Sequence, residues 1–215
     1  MKKFRNILFD MDGVLFQSSS SHAEAYKRLF QDEKMKMIPY SELAGKRTDD
    51  ALRALLIEQD LDASDDHVNL LTQRKRALAR DILSQRLPVT RGCEELLLEL
   101  SKEYQLALAS SSSDDNIKLF LKASNTGSLF KAVVSGQDVL NGKPEPDIFL
   151  LAMEKLNAKA SETLIIEDSV NGVLAGVSSK ATVLGLSDDN SRELLQAGAS
   201  HVIGNLDELQ SYLLE

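Results

Sequence analysis

The stretch Ile7-Leu8-Phe9-Asp10-Met11-Asp12-Gly13-Val14-Leu15 constrains the fold more than any other. An apolar run ends in two aspartates one residue apart, and a glycine follows at once. Apolar runs bounded by a turn residue read as buried strands. Asp10 and Asp12 then stand where the strand runs out, and Gly13 lets the chain turn away. In open parallel α/β sheets that edge is where ligands bind. Two carboxylates so close repel each other unless a cation or a shared proton intervenes. The spacing asks for a hard, oxygen-loving metal such as Mg²⁺. Taken alone, the pair reads equally as a strand end followed by an Asx turn. The rest of the chain decides between the two.

After this strand the pattern changes. Residues 18–21 are serines, and Ser21 with Glu24 fits a capping box opening a helix through Phe30. Residues 38–60 read as helical in two pieces broken at Gly45, the second with Leu52, Leu55 and Leu56 at helical spacing. Residues 65–86 read as one amphipathic helix with Val68, Leu71, Leu78 and Ile82 as its apolar stripe. No strand-like run interrupts residues 16–88, so this region is expected to be an all-helical insert. From Pro88 apolar runs and helices alternate. Strands are expected at 105–109, 132–135, 163–166, 181–184 and near 201–203, with helices between them and a closing helix at 206–214. That alternation means βαβ units and a parallel sheet. The core is then discontinuous, 1–15 with 89–215, and the insert covers 16–88.

The chain has 215 residues, enough for one large domain or a domain with an insert. Its net charge of −8 disfavours a general nucleic-acid surface. The one cysteine, Cys93, excludes an internal disulfide and suits a reducing compartment. It follows Gly92 near a helix start, where a thiol pKa can fall, but thiol-enzyme signatures are missing. The first residues lack a signal-peptide pattern. No apolar run approaches the roughly 18 residues of a membrane span. The expected location is the cytoplasm, with no obligate protein partner and no oligomer required.

Four apolar strands or the loops after them bring polar groups to one sheet edge. The first brings Asp10 and Asp12, the second Ser110 to Ser112. The loop after the third brings Lys143, and the fourth brings Glu167 and Asp168. Parallel strands end on the same side, so groups distant in sequence can converge. Phosphoryl transfer uses such a set, because its catalysis is positioning plus charge stabilisation. A carboxylate can serve as nucleophile. A metal cancels repulsion between nucleophile and phosphate. Lysine, hydroxyl and amide donors hold the oxygens, and a second carboxylate moves the protons.

Phe9-Asp10-Met11-Asp12-Gly13-Val14, the serine ending the second strand, Gly142-Lys143-Pro144-Glu145-Pro146-Asp147 and Glu167-Asp168-Ser169 resemble the four signature motifs of the haloacid dehalogenase superfamily. The chain is most similar to its β-phosphoglucomutase and phosphoglycolate phosphatase-like branch. The resemblance implies a Rossmann-like core with a helical cap, Mg²⁺, and a small phosphorylated metabolite as substrate. It implies Asp10 as nucleophile and metal ligand, and Asp12 as general acid/base with its carbonyl on the metal. It implies Ser110, Ser111 and Lys143 on the phosphoryl group, Asp168 on the metal, and Glu167 supporting the metal directly or through water. In the cap it points to His22 at the entrance, Arg47 or Lys46 on a substrate-reading loop, and Lys75 on the long helix. There are departures: Gln17-Ser18, the order Arg47-Thr48 and Ser179-Lys180 leave the catalytic core untouched but weaken an assignment as a true mutase. The expected activity is a phosphatase working through an aspartyl-phosphate, with a sugar-phosphate mutase as the alternative. A signalling receiver domain conflicts with the insert and with the paired acids, and a non-catalytic scaffold conflicts with the full set of groups.

Overall fold

The computed structural model describes residues 3–214. Met1, Lys2 and Glu215, which the expected core included, lie outside the described residues. Strands β1 (Asn6–Phe9), β2 (Gln105–Ser110), β3 (Phe130–Ser135), β4 (Thr163–Glu167), β5 (Thr182–Leu186) and β6 (His201–Ile203) form one sheet in the order β3-β2-β1-β4-β5-β6. Every neighbouring pair is parallel. The chain runs outward from β1 through β2 to β3, then returns to place β4 on the other flank of β1. That reversal leaves a crevice beyond the ends of β1 and β4, where open α/β sheets bind ligands.

The central strands are apolar throughout because both faces are covered. Ile7, Phe9, Leu106, Leu108, Leu164 and Ile166 face one layer, with Leu97 and Leu100 of α4 (Cys93–Ser101) and Ile117 and Phe120 of α5 (Asp114–Ser124). Leu8, Ala107, Ala109 and Ile165 face the other. They pack on Phe149 and Ala152 of α6 (Asp147–Leu156) and Val173 of α7 (Val170–Ser178). Period-two alternation carries this register forward. Asp10 follows Leu8 by two, and Glu167 follows Ile165 by two. The Phe9↔Ile166 pairing makes Asp10 and Glu167 neighbours.

Between Phe16 and Pro88 lie α1 (Ser19–Asp32), a 3₁₀ turn (Tyr40–Glu42), α2 (Thr48–Glu58) and α3 (Asp65–Arg86). They bury a third apolar cluster of their own, including Leu29, Phe30, Leu52, Leu55, Val68 and Leu71. The two connections to the sheet run side by side. Gln17 N donates to Pro88 O at 2.7 Å, and Thr90 N donates to Leu15 O at 3.0 Å. Helix α8 (Ser191–Ala197) and a 3₁₀ turn leading into α9 (Leu209–Leu214) complete the chain.

Two local expectations are corrected. Helix α1 starts at Ser19, so Ser21 lies buried inside it, and Glu24 pairs with Arg28 rather than closing a capping box. The inner stripe of α3 is Val68, Leu71, Thr72, Lys75, Ala79 and Leu83, with Leu78 and Ile82 only half-buried. A buried lysine thus occupies a position that periodicity assigned to no apolar residue. Cys93 is buried, and burial with Glu95 and Glu94 pushes its thiol up to about 12, the reverse of an activated thiol.

Leu108 is fully buried in the sheet. Leu108→Ala is expected to lower unfolding free energy by about 2–5 kcal/mol, read by urea denaturation.

Candidate active site

Beyond the ends of β1, β2 and β4 a cavity opens against the insert, lined by Asp10, Asp12, Ser111, Ser112 and Asp168 from the sheet side. His22, Tyr40, Lys46, Thr48, Lys75 and Arg76 line it from the insert. Three strand ends therefore bring polar side chains to one cavity, and Lys143, from the loop after β3, stands behind Asp10.

Behind Asp10, Lys143 is wholly buried. Its Nζ donates to Asp10 Oδ1 at 2.5 Å, to Glu167 Oε1 at 2.6 Å and to Ala109 O at 3.4 Å, and it lies 4.8 Å from the Phe149 ring centroid. Burial works against this charge, but Asp10 and Glu167 outweigh it and hold the ammonium above the usual lysine range. Glu167 is saturated. Its Oε2 accepts from Asp168 N at 3.0 Å, Ser169 N at 3.1 Å and Ser169 Oγ at 3.0 Å. Both oxygens of the fully buried Glu167 are thus engaged, one by Lys143 and the other by the donors of Asp168 and Ser169.

Asp12 is gripped from both sides. Oδ1 accepts from Ser18 Oγ at 2.5 Å and lies 3.2 Å from His22 Nε2. Oδ2 accepts from Ser112 Oγ at 2.6 Å and Ser110 Oγ at 3.3 Å. Burial raises its pKa, but His22 and these hydroxyls override burial and hold it well below the usual carboxylate range. His22 Nδ1 lies 3.0 Å from Lys75 Nζ. An ammonium there donates to Nδ1 and leaves Nε2–H for Asp12. Lys75 also sits 4.3 Å from the Tyr26 ring centroid, and burial pulls its pKa down to about 7. Burial and the Lys75 charge lower that of His22.

Two further expectations are corrected. Ser110 is fully buried, with its hydroxyl on Asp12 rather than facing the cavity. Arg47 does not line the cavity. Its guanidinium forks onto Asp50 at 2.7 and 2.9 Å and donates to Gly136 O at 3.2 Å and Val139 O at 2.9 Å, strapping the insert to the core. Ser111 Oγ donates to Gly45 O at 2.7 Å, and Asn171 Nδ2 to Ala44 O at 2.8 Å, adding to that strap. The sequence reading gave no role to Ser18 or Tyr40. Ser18 had a signal in its spacing, six residues after Asp12; Tyr40 had none.

The oxygen donors suit Mg²⁺. Burial, with the charges of Glu167 and Asp12, pushes Asp10 up, and burial, with those of Glu167 and Asp10, pushes Asp168 up, both above the usual carboxylate range despite Lys143. A divalent cation between them would favour the ionised forms. Among the described residues no three Asp, Glu, His or Cys side chains form a ready cage. Mg²⁺ needs none, since it is commonly held by one or two carboxylates with waters and substrate phosphate. Gly13, at φ +90°, keeps space for this arrangement: a Cβ there would lie 1.8 Å from Asp168 Oδ2.

A family model described as haloacid dehalogenase-like hydrolase matches residues 7–186. A phosphorylated carbohydrates phosphatase of Thermotoga maritima is 30% identical over 90% of this chain and 91% of its own length. A β-phosphoglucomutase of Mycobacterium bovis is 27% identical over 97% of this chain and 92% of its own. A hydrolase from Pseudomonas syringae superposes with a TM-score of 0.86 at 29% identity, covering 97% of both chains. The chain belongs to the haloacid dehalogenase-like hydrolase family and is an enzyme of that family. Among the described residues no helix is long and apolar enough to cross a membrane.

A Cβ at Gly172 would fall 1.8 Å from Glu167 Oε1. Gly172→Ala is therefore expected to displace Glu167, free Lys143, and lower both the melting temperature and turnover. An unchanged melting temperature with normal kcat would show that Glu167 does not anchor Lys143.

Proposed function

We propose that the chain is a Mg²⁺-dependent phosphomonoesterase acting on a small phosphorylated metabolite, a sugar phosphate or similar compound, through an aspartyl-phosphate on Asp10. The observation that carries this reading is the Asp10 carboxylate. It is pinned by Lys143 and opens on the cavity that Asp12 and Asp168 share.

Asp10 and Asp168 would hold Mg²⁺, with the Asp12 carbonyl. Bound there, the ion screens the nucleophile from the phosphate dianion. Asp10 attacks phosphorus and the bond to the leaving oxygen breaks as Asp12 protonates that oxygen. Asp12 is ionised in the free site, and an arriving dianion raises its pKa toward the acid form. Water then attacks the aspartyl-phosphate while Asp12 takes its proton, freeing phosphate and Asp10. His22, its tautomer set by Lys75, keeps the Asp12 carboxylate in place. The Ser111 amide would hold a phosphoryl oxygen, and Lys143, sealed behind Asp10, would act through that carboxylate.

The insert acts as a cap. The cavity offers about 40 Å³ to the centres of water molecules, room for about three waters. A substrate in the cavity would lie against Ala44 and Gly45, whose carbonyls are held by Asn171 and Ser111 of the core. A mutase reading draws on the Mycobacterium relative. Incubation with β-glucose 1-phosphate and a trace of bisphosphate separates the two: glucose 6-phosphate without free phosphate would mean a mutase.

Asp10→Asn is expected to abolish hydrolysis of p-nitrophenyl phosphate while leaving circular dichroism unchanged; near-normal turnover would remove Asp10 as nucleophile. EDTA is expected to stop hydrolysis and Mg²⁺ to restore it. Ca²⁺ is expected to inhibit, because its larger, looser shell misplaces the in-line geometry.

A further inference from the structure

Lys143 reaches Asp10 from a loop whose main chain is not satisfied by the core alone. Residues 136–142 join β3 to Lys143. At its start the loop closes on the strand: Ser135 N donates to Asp138 Oδ2 at 2.7 Å, and Asp138 N donates to Ser135 O at 3.1 Å. Among the described residues, no main-chain donor meets Gly136 O or Val139 O. Gly136 is buried and Val139 is half-buried, and carbonyls so placed need a partner.

The partner comes from the insert. Arg47 stands just before α2, and its Nη1 donates to both carbonyls, at 3.2 Å to Gly136 and 2.9 Å to Val139. Nε and Nη2 grip Asp50, which fixes the plane of the guanidinium. The loop is shaped to receive this fork. A Cβ at Gly142 would fall 2.6 Å from Asp50 Oδ2 and 2.8 Å from Arg47 Cγ, and one at Gly136 would fall 3.1 Å from Arg47 Cγ. Neither glycine has a positive φ. At Gly142 the missing side chain therefore makes room for the fork rather than for a turn, and Gly142 directly precedes Lys143. Lys143 in turn donates to Asp10 Oδ1. A misplacement of about 1 Å in a group of this kind can cost ~100-fold in rate.

We propose that Arg47 is a positioning residue for the chemical step: seated on the carbonyls of Gly136 and Val139, it fixes the loop that sets Lys143 against Asp10. This rests on the assignment of Asp10 as phosphoryl acceptor. The phosphorus chemistry stays with the core, and the insert adds one donor group on two carbonyls. Arg47 itself acts without touching substrate, since it does not line the cavity.

The test separates kcat from KM. Arg47→Met is expected to lower kcat by about tenfold or more while KM stays within about threefold, the pattern of a misplaced reacting group. The factor should be the same for p-nitrophenyl phosphate, glucose 6-phosphate and glycerol 1-phosphate, which share only the phosphoryl group. Gly142→Ala presses on the fork from the loop side and should lower kcat by a similar factor. In the double variant the two losses should not add, as for residues sharing one contact. A raised KM with unchanged kcat, or a loss confined to one ester, would make Arg47 a reader of substrate and overturn the proposal. Fully additive losses would overturn it too. Amide hydrogen exchange reads the coupling without turnover: Arg47→Met should speed exchange across residues 136–143 and leave β2 and α4 at wild-type rates, and unchanged exchange in the loop would count against it equally. Failure of the phosphatase assignment would instead appear as no hydrolysis of any ester by wild type, with the exchange result still measurable.

Discussion

One buried ammonium organises the catalytic edge. Lys143 lies in the low-dielectric interior between Asp10 and Glu167, and its charge is tolerable only because both carboxylates and a main-chain carbonyl meet it. Removing one partner from such a buried group costs about 3–5 kcal/mol, since an uncompensated charge is left behind. The parallel register that places β1 beside β4 makes the trio possible. Gly172 and Ser169, at the start of α7, then fix the far side of Glu167.

From this trio the remaining charges follow. Asp168 and Asp10 line one cavity, and burial with the charges of Glu167 and Asp10 pushes the Asp168 carboxyl above its usual range against the single ammonium of Lys143. Asp12, two residues from Asp10, escapes that crowding because hydroxyls and an imidazole surround it. Two carboxylates nearly adjacent in sequence therefore differ in proton affinity, the separation of roles that acid/base chemistry uses.

Strand ends were legible because unbroken apolar runs terminating in Asp10, Ser110 and Glu167 are the pattern of a sheet covered on both faces. The β-sheet chemistry followed from those ends and from the resemblance of the motifs. Side-chain direction was less legible. Ser110 and Ser112 are two residues apart, yet one is sealed behind Asp12 and the other borders the cavity. Arg47 carries a charge that reads as a ligand contact, but the carbonyls of the loop at 136–139 capture it, and no local pattern encodes that capture. Lys75 was named from the resemblance, but its burial beside His22 comes from the packing of α1 on α3 and no local pattern encodes it.

The paired connections at Gln17–Pro88 and Leu15–Thr90 bring the two ends of the insert into hydrogen-bonding contact. An excursion that leaves and returns through one doorway is topologically a cassette: the sheet needs only the doorway intact. Selectivity written on the insert can diverge by wholesale exchange of that cassette, while the phosphorus chemistry on the strands is inherited unchanged.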